Sequence, residues 1–213
     1  MRSYAIREME PRDAYRLFIS VVVPRPIAWV STVGSTGIPN LAPFSFYNAI
    51  GGPMPMVMFS PAQRDGRAKD TLRNIKETGD FVLNVVDEQL ASAMVSTGSE
   101  WAYDVNEFSV AGLDRAASTD VRPPRVAQAR VAMEARMTQL VPIEGTTYTM
   151  VIGRVVRVHV CEHLLRSNGT VDPTLLQPVA RLGGIEYGTL GDVFQMPIPP
   201  VPGEGKHLQH PRT

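Results

Sequence analysis

The chain has 213 residues, of which 44% are hydrophobic, and its 21 basic and 21 acidic side chains cancel. This length and apolar content suffice for one good core, while the zero net charge excludes a global attraction to nucleic acid or to an anionic membrane. A single cysteine, Cys161, excludes an internal disulfide and suits a reducing compartment. The first residues alternate charged and apolar side chains, so we expect neither a signal peptide nor a membrane span. The expected location is the cytoplasm.

The first sixty residues combine one helix signal with several strand signals. Pro11 and the apolar spacing after it predict a helix within residues 1–20 that covers a barrel end. Small, β-branched and aromatic residues predict a strand from 27 to 33, and the turn residues of 34–39 complete a hairpin. Segments 41–50 and 54–60 are also predicted strands, and their prolines restrict them to edges, bulges or strand starts.

Two short helices and a buried strand are predicted next. Asp70 is expected to cap a helix that runs to Thr78 and ends at Gly79. The segment FVLNVV, at 81–86, is a predicted buried strand, and a second helix at 87–97 starts from an Asp87 cap. Residues 99–125 have no clear periodicity and are predicted to form a long excursion or a short helix.

The C-terminal part is predicted to hold two long strands. The first covers 129–141, and the second covers about 148–162, with Gly153 as a candidate bulge. Asp172 caps a helix that begins at Pro173. We expect one domain over residues 1–196 and an extended or disordered proline-rich tail over 197–213.

A cluster of cationic side chains at 64–76 marks a candidate anion site. Arg64 and Lys69, the Ser60 hydroxyl and the amides that enter the helix at Thr71 can together bind a phosphate. An ordinary solvated helix face is the competing interpretation. An Asp70 cap would occupy part of the same helix entrance.

The segment NLAPFSF, at 40–46, is the candidate for binding a flat ring. Pro43 removes a donor from the ladder, which leaves backbone groups of Ala42 and Phe44 available to a ligand, and Ser45 adds a hydroxyl. Plain barrel wall is the alternative. Together with the cationic cluster, it suggests a phosphorylated-ligand site between 24 and 71.

Five segments in this order carry a resemblance to a known family: PRPIAWVST at 24–32, NLAPFSF, Phe59-Ser60, KDTLRNIKETGDFVLN at 69–84 and ARLGGIEY at 180–187. The chain resembles the flavin reductase-like proteins with an FMN-binding split barrel, in particular those similar to the reductase component of nitrilotriacetate monooxygenase. The resemblance implies a mainly β fold, a six-stranded split β-barrel with Greek-key connections and short flanking helices. It also implies a homodimer with one FMN near the interface of the subunits.

The resemblance also implies a set of FMN-binding residues. Ala28 to Thr32 would line one side of the flavin, Asn40 to Ser45 its ring edge, and Ser60 to Thr71 its phosphate and ribityl end. The late motif adds Arg181 and a covering Tyr187, and either Arg25 or Arg181 would stabilise the reduced flavin anion. The predicted cofactor-binding residues are Arg25, Ala28, Ser31, Thr32, Asn40, Ala42, Pro43, Phe44, Ser45, Ser60, Arg64, Lys69, Asp70, Thr71, Arg181 and Tyr187.

The implied activity is hydride transfer from NADH or NADPH to bound FMN and on to free flavin or another small acceptor, with a monooxygenase as a possible partner. Such chemistry needs no protein acid or nucleophile, so no catalytic side chain is predicted. The sequence lacks a GxGxxG fingerprint, so nicotinamide would bind directly on the flavin face. A non-enzymatic FMN-binding or electron-carrier protein is the alternative function. His159, Cys161 and His163 alternate but lack a fourth ligand, so we predict no metal site.

Overall fold

The computed structural model describes residues 1–64 and 66–199 and leaves the side chains of Arg64 and Arg67 undescribed. Most of the predicted tail therefore lies outside the described residues. The helices are α1 (Pro11–Val21), α2 (Asp70–Thr78), α3 (Ala91–Thr97), α4 (Glu107–Val110) and α5 (Pro173–Leu176). The strands are β1 (Arg25–Pro26), β2 (Ala28–Val33), β3 (Pro39–Phe44), β4 (Tyr47–Ile50), β5 (Met56–Phe59), β6 (Gln63–Arg64), β7 (Arg67–Ala68), β8 (Asp80–Asn84), β9 (Arg115–Ala116), β10 (Arg125–Val126), β11 (Val131–Pro142), β12 (Thr149–Val160), β13 (Ala180–Arg181) and β14 (Tyr187–Gly188).

The main sheet is antiparallel and curls so that its two edge strands approach each other without pairing. Its seven strands lie in the order β3-β2-β8-β11-β12-β5-β4. The two edge strands are consecutive in the chain: β3 ends at Phe44, and β4 begins at Tyr47. Because only Ser45 and Phe46 join opposite edges of the sheet, the sheet must wrap into a half-barrel that is open along one line. The predicted split barrel is confirmed.

The strand count differs by one from the six strands that the resemblance implies. The stretch 39–50 is divided into β3 and β4 by a bend at Ser45 and Phe46. If β3 and β4 are counted as one bent strand, the main sheet has the six strands that the resemblance implies. The bend lies where the chain crosses from one sheet edge to the other.

The barrel core is apolar and is closed by α2. Leu72 and Ile75, on one face of α2, are fully buried and pack with Phe59 and Phe81. The rings of Phe59 and Phe81 meet edge to face, with centroids 5.5 Å apart. Because α2 carries its apolar residues at i and i+3, its polar face remains at the barrel mouth.

A second apolar cluster covers the outer face of β2 and β3. Trp29 and Leu41 point away from the barrel core and pack with Met94 of α3 and Phe108 of α4. Strand β2 is consequently buried along its whole length, with alternate side chains in each cluster. The excursion predicted at 99–125 thus contains α4 and part of this outer layer.

The long hairpin β11-β12 agrees with its predicted bounds, but the bulge lies elsewhere. The register shifts twice: between Glu134 and Ala135, where the extra residue is Val156 of β12, and between Met137 and Gln139, which face Gly153 and Ile152. At the second shift the extra residue is Thr138 of β11, so Gly153 is not itself the bulged residue. A Cβ on Gly153 would lie 2.3 Å from Cζ of Phe81. Gly153 therefore gives room to the core ring, because any side chain there would overlap it.

In the described ranges, no helix has both the length and the apolar character that spanning a membrane requires.

Candidate functional site

The site is built on β3, the edge strand of the barrel. Its register with β2 pairs Ala28 with Phe44 and Val30 with Ala42. The outward-facing amide of Leu41 donates to the Glu107 carboxylate at 3.2 Å. By the alternation of an antiparallel ladder, the backbone groups of Ala42 and Phe44 therefore point towards β2. The expectation that they face a ligand is wrong, and the outward carbonyls are those of Leu41 and Pro43.

Pro43 suits this position because its missing N–H would point away from the ladder. It also contacts the outer layer closely: a Cβ on Gly98, at the end of α3, would lie 3.3 Å from Pro43 Cγ. The edge of β3 is thus bounded by α2 on one side and by the end of α3 on the other.

A small pocket of about 210 Å³ lies at the split of the barrel. It contains the residues that join the two sheet edges and brings the late ARLGGIEY motif to the NLAPFSF segment. The lining residues are Tyr15, Ile19, Arg25, Pro43, Phe44, Ser45, Phe46, Ser60, Ala62, Lys69, Tyr148, Arg181 and Gly184. This lining includes three cations and four hydroxyl groups, and no carboxylate is among the described residues that line it. The small pocket therefore favours an anionic group.

Arg25 is buried and fastens three parts of the chain. Its guanidinium donates to the carbonyls of Ile19, Val22 and Leu182, each at 2.6 Å. Its Nε is buried without a hydrogen-bond partner among the described residues. Three of the five guanidinium donors of Arg25 thus bind backbone carbonyls and serve the fold.

Arg181 is the more accessible of the two guanidinium groups. It lies on β13, which pairs with β1 so that Arg25 faces Arg181. The Arg181 guanidinium donates to the Tyr187 hydroxyl and to the Gly184 carbonyl. Tyr187 is half-buried on β14 and thus supports Arg181. The preceding glycine, Gly183, packs against α1, where a Cβ would approach Ser20 Cβ to 3.3 Å.

The entrance of α2 differs from the sequence expectation. The residue at the N-cap is Lys69, whose side chain makes no capping hydrogen bond, and Asp70 is the first helical residue. Asp70 instead accepts a hydrogen bond from Arg73 at 3.0 Å. Burial raises the pKa of Asp70, and Arg73 and Lys69 oppose that rise. The predicted Asp70 cap is wrong, so its carboxylate does not occupy the amides at the helix start.

A large cavity of about 1000 Å³ adjoins the small pocket, and Lys69 lines both. It lies between the edge of β3, the start of α2 and the segment that connects α3 to α4. Its lining residues are Asn40, Ala42, Ala68, Lys69, Asp70, Thr71, Arg73, Lys76, Glu77, Thr97, Gly98, Ser99, Glu100, Trp101, Ala102, Tyr103 and Glu107.

The wall of the large cavity is fixed by an aromatic contact. The Arg73 guanidinium carbon lies 3.1 Å from the centre of the Tyr103 ring. The Tyr103 hydroxyl reaches Asn74 Oδ1 at 3.4 Å. A Cβ on Gly34 would lie within 2.6 Å of both the Tyr103 hydroxyl and Asn74 Oδ1. The segment between α3 and α4 therefore docks onto α2 through Tyr103.

A buried polar network crosses the floor of the large cavity. Asn40 Nδ2 donates to Glu107 at 2.7 Å, and Asn40 Oδ1 accepts from Thr71 at 2.8 Å and from Thr32 at 3.3 Å. Thr32 in turn accepts from Asn74 at 3.1 Å. Burial raises the pKa of Glu107, hydrogen bonds from Asn40 and Leu41 oppose that rise, and the Asp70 charge adds to it. The network fixes the Asn40 amide.

Glu107 was missed because it lies in the excursion that has no periodicity. The only sequence signal was Asn106, which caps the start of α4 by accepting from the Phe108 amide. Recognising that helix start would have placed Glu107 in its first turn.

Three predicted residues lie deeper than expected. Ala28 belongs to the barrel core, and Thr32 is fully buried in the polar network. Ser31 is also fully buried, and its hydroxyl donates to the Pro124 carbonyl at 2.5 Å. These side chains support the floor of the site, and their contact with FMN stays a prediction.

Most of the remaining predicted residues fall into two groups. Asn40, Ala42, Lys69, Asp70 and Thr71 line the large cavity, whereas Arg25, Pro43, Phe44, Ser45, Ser60 and Arg181 line the small pocket. Tyr187 lines neither cavity and reaches the small pocket only through its hydrogen bond with Arg181. For Arg64, the structure describes only the backbone, in β6, so its predicted phosphate contact stays a prediction.

The pattern of His159, Cys161 and His163 does not form one strand face. Strand β12 ends at Val160, and His163 lies in a short 3-10 helix at Glu162–Leu164. His159 Nε2 lies 2.6 Å from the buried Glu134 carboxylate.

The sequence model described as "Flavin reductase like domain" matches residues 20–176. The chain belongs to this flavin reductase-like family. The match begins before β1 and ends with α5, so it includes the whole half-barrel.

Solved structures of two family relatives superpose closely. Nitrilotriacetate monooxygenase component B from Bacillus cereus is 33% identical, with a TM-score of 0.88, over 92% of this chain and 98% of that one. The 2-nitrobenzoate 2-nitroreductase of Pseudomonas fluorescens is 32% identical, with a TM-score of 0.84, over 93% and 96% of the two chains. An uncharacterized protein of Aquifex aeolicus is 37% identical over 187 residues, which are 86% of this chain and 93% of that one. Family membership supports a flavin-related redox function.

Proposed function

We propose that the chain is an FMN-dependent oxidoreductase of the flavin reductase type. It takes hydride from NADH or NADPH and passes reducing equivalents to free flavin or another small acceptor. The observation that carries the proposal is the position of Lys69. It stands at an uncapped helix start, lines both cavities, and holds its Nζ 5.6 Å from the centre of the Phe44 ring. One side chain thus joins the proposed ring region to the proposed phosphate region.

The residues present fit FMN by two features of their own. The N-cap side chain makes no capping hydrogen bond at the start of α2, and the start of a helix favours a phosphate. The small pocket holds Arg25 with its unpartnered buried Nε, next to Arg181 and the Ser45 hydroxyl. A cation-rich pocket of this kind favours the electron-rich edge of a flavin ring.

The proposed contacts combine this division with the residue roles that the family resemblance implies for Ala42 and Ser60. Ala42 to Ser45 border the ring, with Arg181 and Arg25 near its anionic edge and Tyr187 behind Arg181. Ser60, Lys69 and Thr71 border the phosphate and ribityl end. When bound, FMN supplies hydride chemistry at its ring. The chain binds and orients the ring, neutralises charge beside it and limits the access of water.

The relatives support two further proposals about partners. One is named as a monooxygenase component, which supports delivery of reduced flavin to a monooxygenase. The other is named as a nitroreductase for an aromatic acid, which supports a small aromatic acceptor. We propose that the protein acts as a homodimer in the cytoplasm. Sedimentation at micromolar concentration tests the dimer, and a monomer would contradict it.

Anaerobic titration of the FMN-loaded protein with NADH and with NADPH tests the proposed activity. The expected result is loss of the flavin absorbance with at least one donor. Flavin that stays oxidised with both donors but is reduced by dithionite would favour the electron carrier. Colourless protein that takes up no added FMN would contradict both functions.

A further inference from the structure

Helix α1 presents most of its apolar face to solvent. Tyr15, Phe18 and Val22 are spaced at i, i+3 and i+7 and therefore lie on one side of the helix. Phe18 is 52% exposed, and the helix buries only Ala14 fully. A run of such residues on an amphipathic helix indicates a surface that another chain covers.

The segment after β14 is also apolar and exposed. From Leu190 to Ile198 it carries five large apolar side chains and a single charge, Asp192. Phe194 is 77% exposed and Met196 is 81% exposed. The segment contains no regular secondary structure as far as Pro199, and we call residues 190–198 the arm.

Within one chain, the two surfaces do not cover each other. The arm leaves the β13-β14 hairpin, which is held to α1 by Arg25, since Arg25 donates both to Ile19 of α1 and to Leu182, and by the close approach of Gly183 to Ser20. The arm thus starts beside its own α1 yet remains exposed. Nine extended residues reach about 30 Å, whereas the eleven residues of α1 span about 16 Å. The arm is therefore long enough to cover an α1 helix of a neighbouring molecule.

We propose that the arm of one copy packs on the exposed face of α1 of a second copy, and that the exchange is reciprocal. This inference rests on the proposed homodimer and adds the contact that forms it. A two-fold axis produces both contacts at once. Phe194 of each copy then contacts Phe18 of the other copy. The charge-poor composition of both surfaces fits an apolar contact.

The exchange would also complete the small pocket. Tyr15 belongs both to the exposed face of α1 and to the lining of the small pocket, where its hydroxyl lies 3.5 Å from that of Tyr148. The partner's Phe194 on this face would exclude water from the mouth of the small pocket. Each site would thus need the second copy.

Disulfide trapping tests the exchange directly. Two differently tagged chains, both with Cys161→Ser, are co-expressed; one carries Phe18→Cys and the other carries Phe194→Cys. Each chain then has one cysteine, so any disulfide joins two chains. We expect the mixed disulfide on mild oxidation, both with and without FMN. The pair Val22→Cys and Met196→Cys repeats the test should the first pair impair folding.

A matched control uses Val158→Cys in place of Phe18→Cys. Val158 is exposed and lies ten residues after Tyr148, towards the far end of β12. It should form no mixed disulfide with Phe194→Cys. Phe18→Cys and Phe194→Cys placed together in one chain should likewise link two chains, and an intrachain disulfide would overturn the inference.

The outcomes separate this inference from the proposed function. A dimer that forms no mixed disulfide with either pair overturns the exchange and leaves the homodimer intact. A monomer overturns the exchange and the homodimer. Because the trapping needs no flavin, a failure to bind FMN would contradict the proposed function and not the exchange.

Discussion

Asn40 Nδ2 donates a hydrogen bond to Glu107 Oε1 at 2.7 Å, and this bond joins the edge strand of the barrel to the first turn of α4. The other Glu107 oxygen accepts from the Leu41 amide. Both carboxylate oxygens therefore face donors. The segment between α3 and α4, which walls the large cavity, is held to the strand that borders the proposed flavin.

Glu107→Gln should destabilise the protein by about 1–3 kcal/mol, because the amide offers one acceptor to two buried donors. The pKa of Glu107 is raised by burial above its ordinary value of 4.5, so the folded protein holds this proton more tightly than the unfolded chain. Wild-type stability therefore declines as the pH rises from 4.5 through the raised pKa of Glu107 in the folded protein. The difference in free energy of unfolding, wild type minus variant, should shrink, as measured by urea titration. Glu88→Gln, at an exposed site, is the control, and a difference that grows with pH would contradict this reasoning.

Lys69→Ala should weaken FMN binding on the order of 10- to 100-fold and leave riboflavin binding nearly unchanged, because riboflavin lacks the phosphate. Fluorescence titration with both ligands measures the ratio. Arg115→Ala is the control, since Arg115 is an exposed cation on β9 and lines neither cavity. An equal loss for both ligands would assign Lys69 to structure alone.

Substitution of Arg25 should mainly lower the stability of the fold, whereas substitution of Arg181 should mainly change the redox potential of bound FMN. Arg25→Gln removes three bonds to carbonyls and should lower the free energy of unfolding by about 3 kcal/mol. Arg181→Gln should leave stability nearly unchanged and lower the midpoint potential of bound FMN, because it removes a cation that stabilises the reduced ring. Chemical denaturation and a redox titration are the measurements. A lower potential in Arg25→Gln alone would make Arg25 the tuning residue.

Glu134→Gln should destabilise the fold by about 3–5 kcal/mol at neutral pH, because its buried carboxylate accepts from the amides of Thr119, Asp120 and Val121 and faces His159. Burial alone would raise the pKa of Glu134, but the bonds from His159 and from these amides lower it overall. Its stabilising contribution is present above pH 4.5 and is lost as the pH falls through the lowered value. The difference in melting temperature between wild type and Glu134→Gln should therefore shrink as the pH is lowered from 7, as measured by thermal melts. Glu144→Gln, in an exposed turn, should show no gap.

The sequence determined the elements that depend on local chemistry. Asp172 caps the helix that starts at Pro173, and Gly79 ends α2 with a φ of 76°, as predicted. The long strands β11 and β12 also lie where alternation placed them, because side-chain period is a property of the chain alone. The five family segments were sufficient to predict the split barrel.

The tertiary structure decided which groups meet at the site. It brought Arg181 opposite Arg25 and placed Glu107 on Asn40, and no local signal relates such distant positions. It also moved the cap of α2 from Asp70 to Lys69, because Asp70 has Arg73 as a partner one turn away. The pairing of β3 with β2 decides which backbone groups of β3 face outward. This pairing is fixed only when the barrel closes.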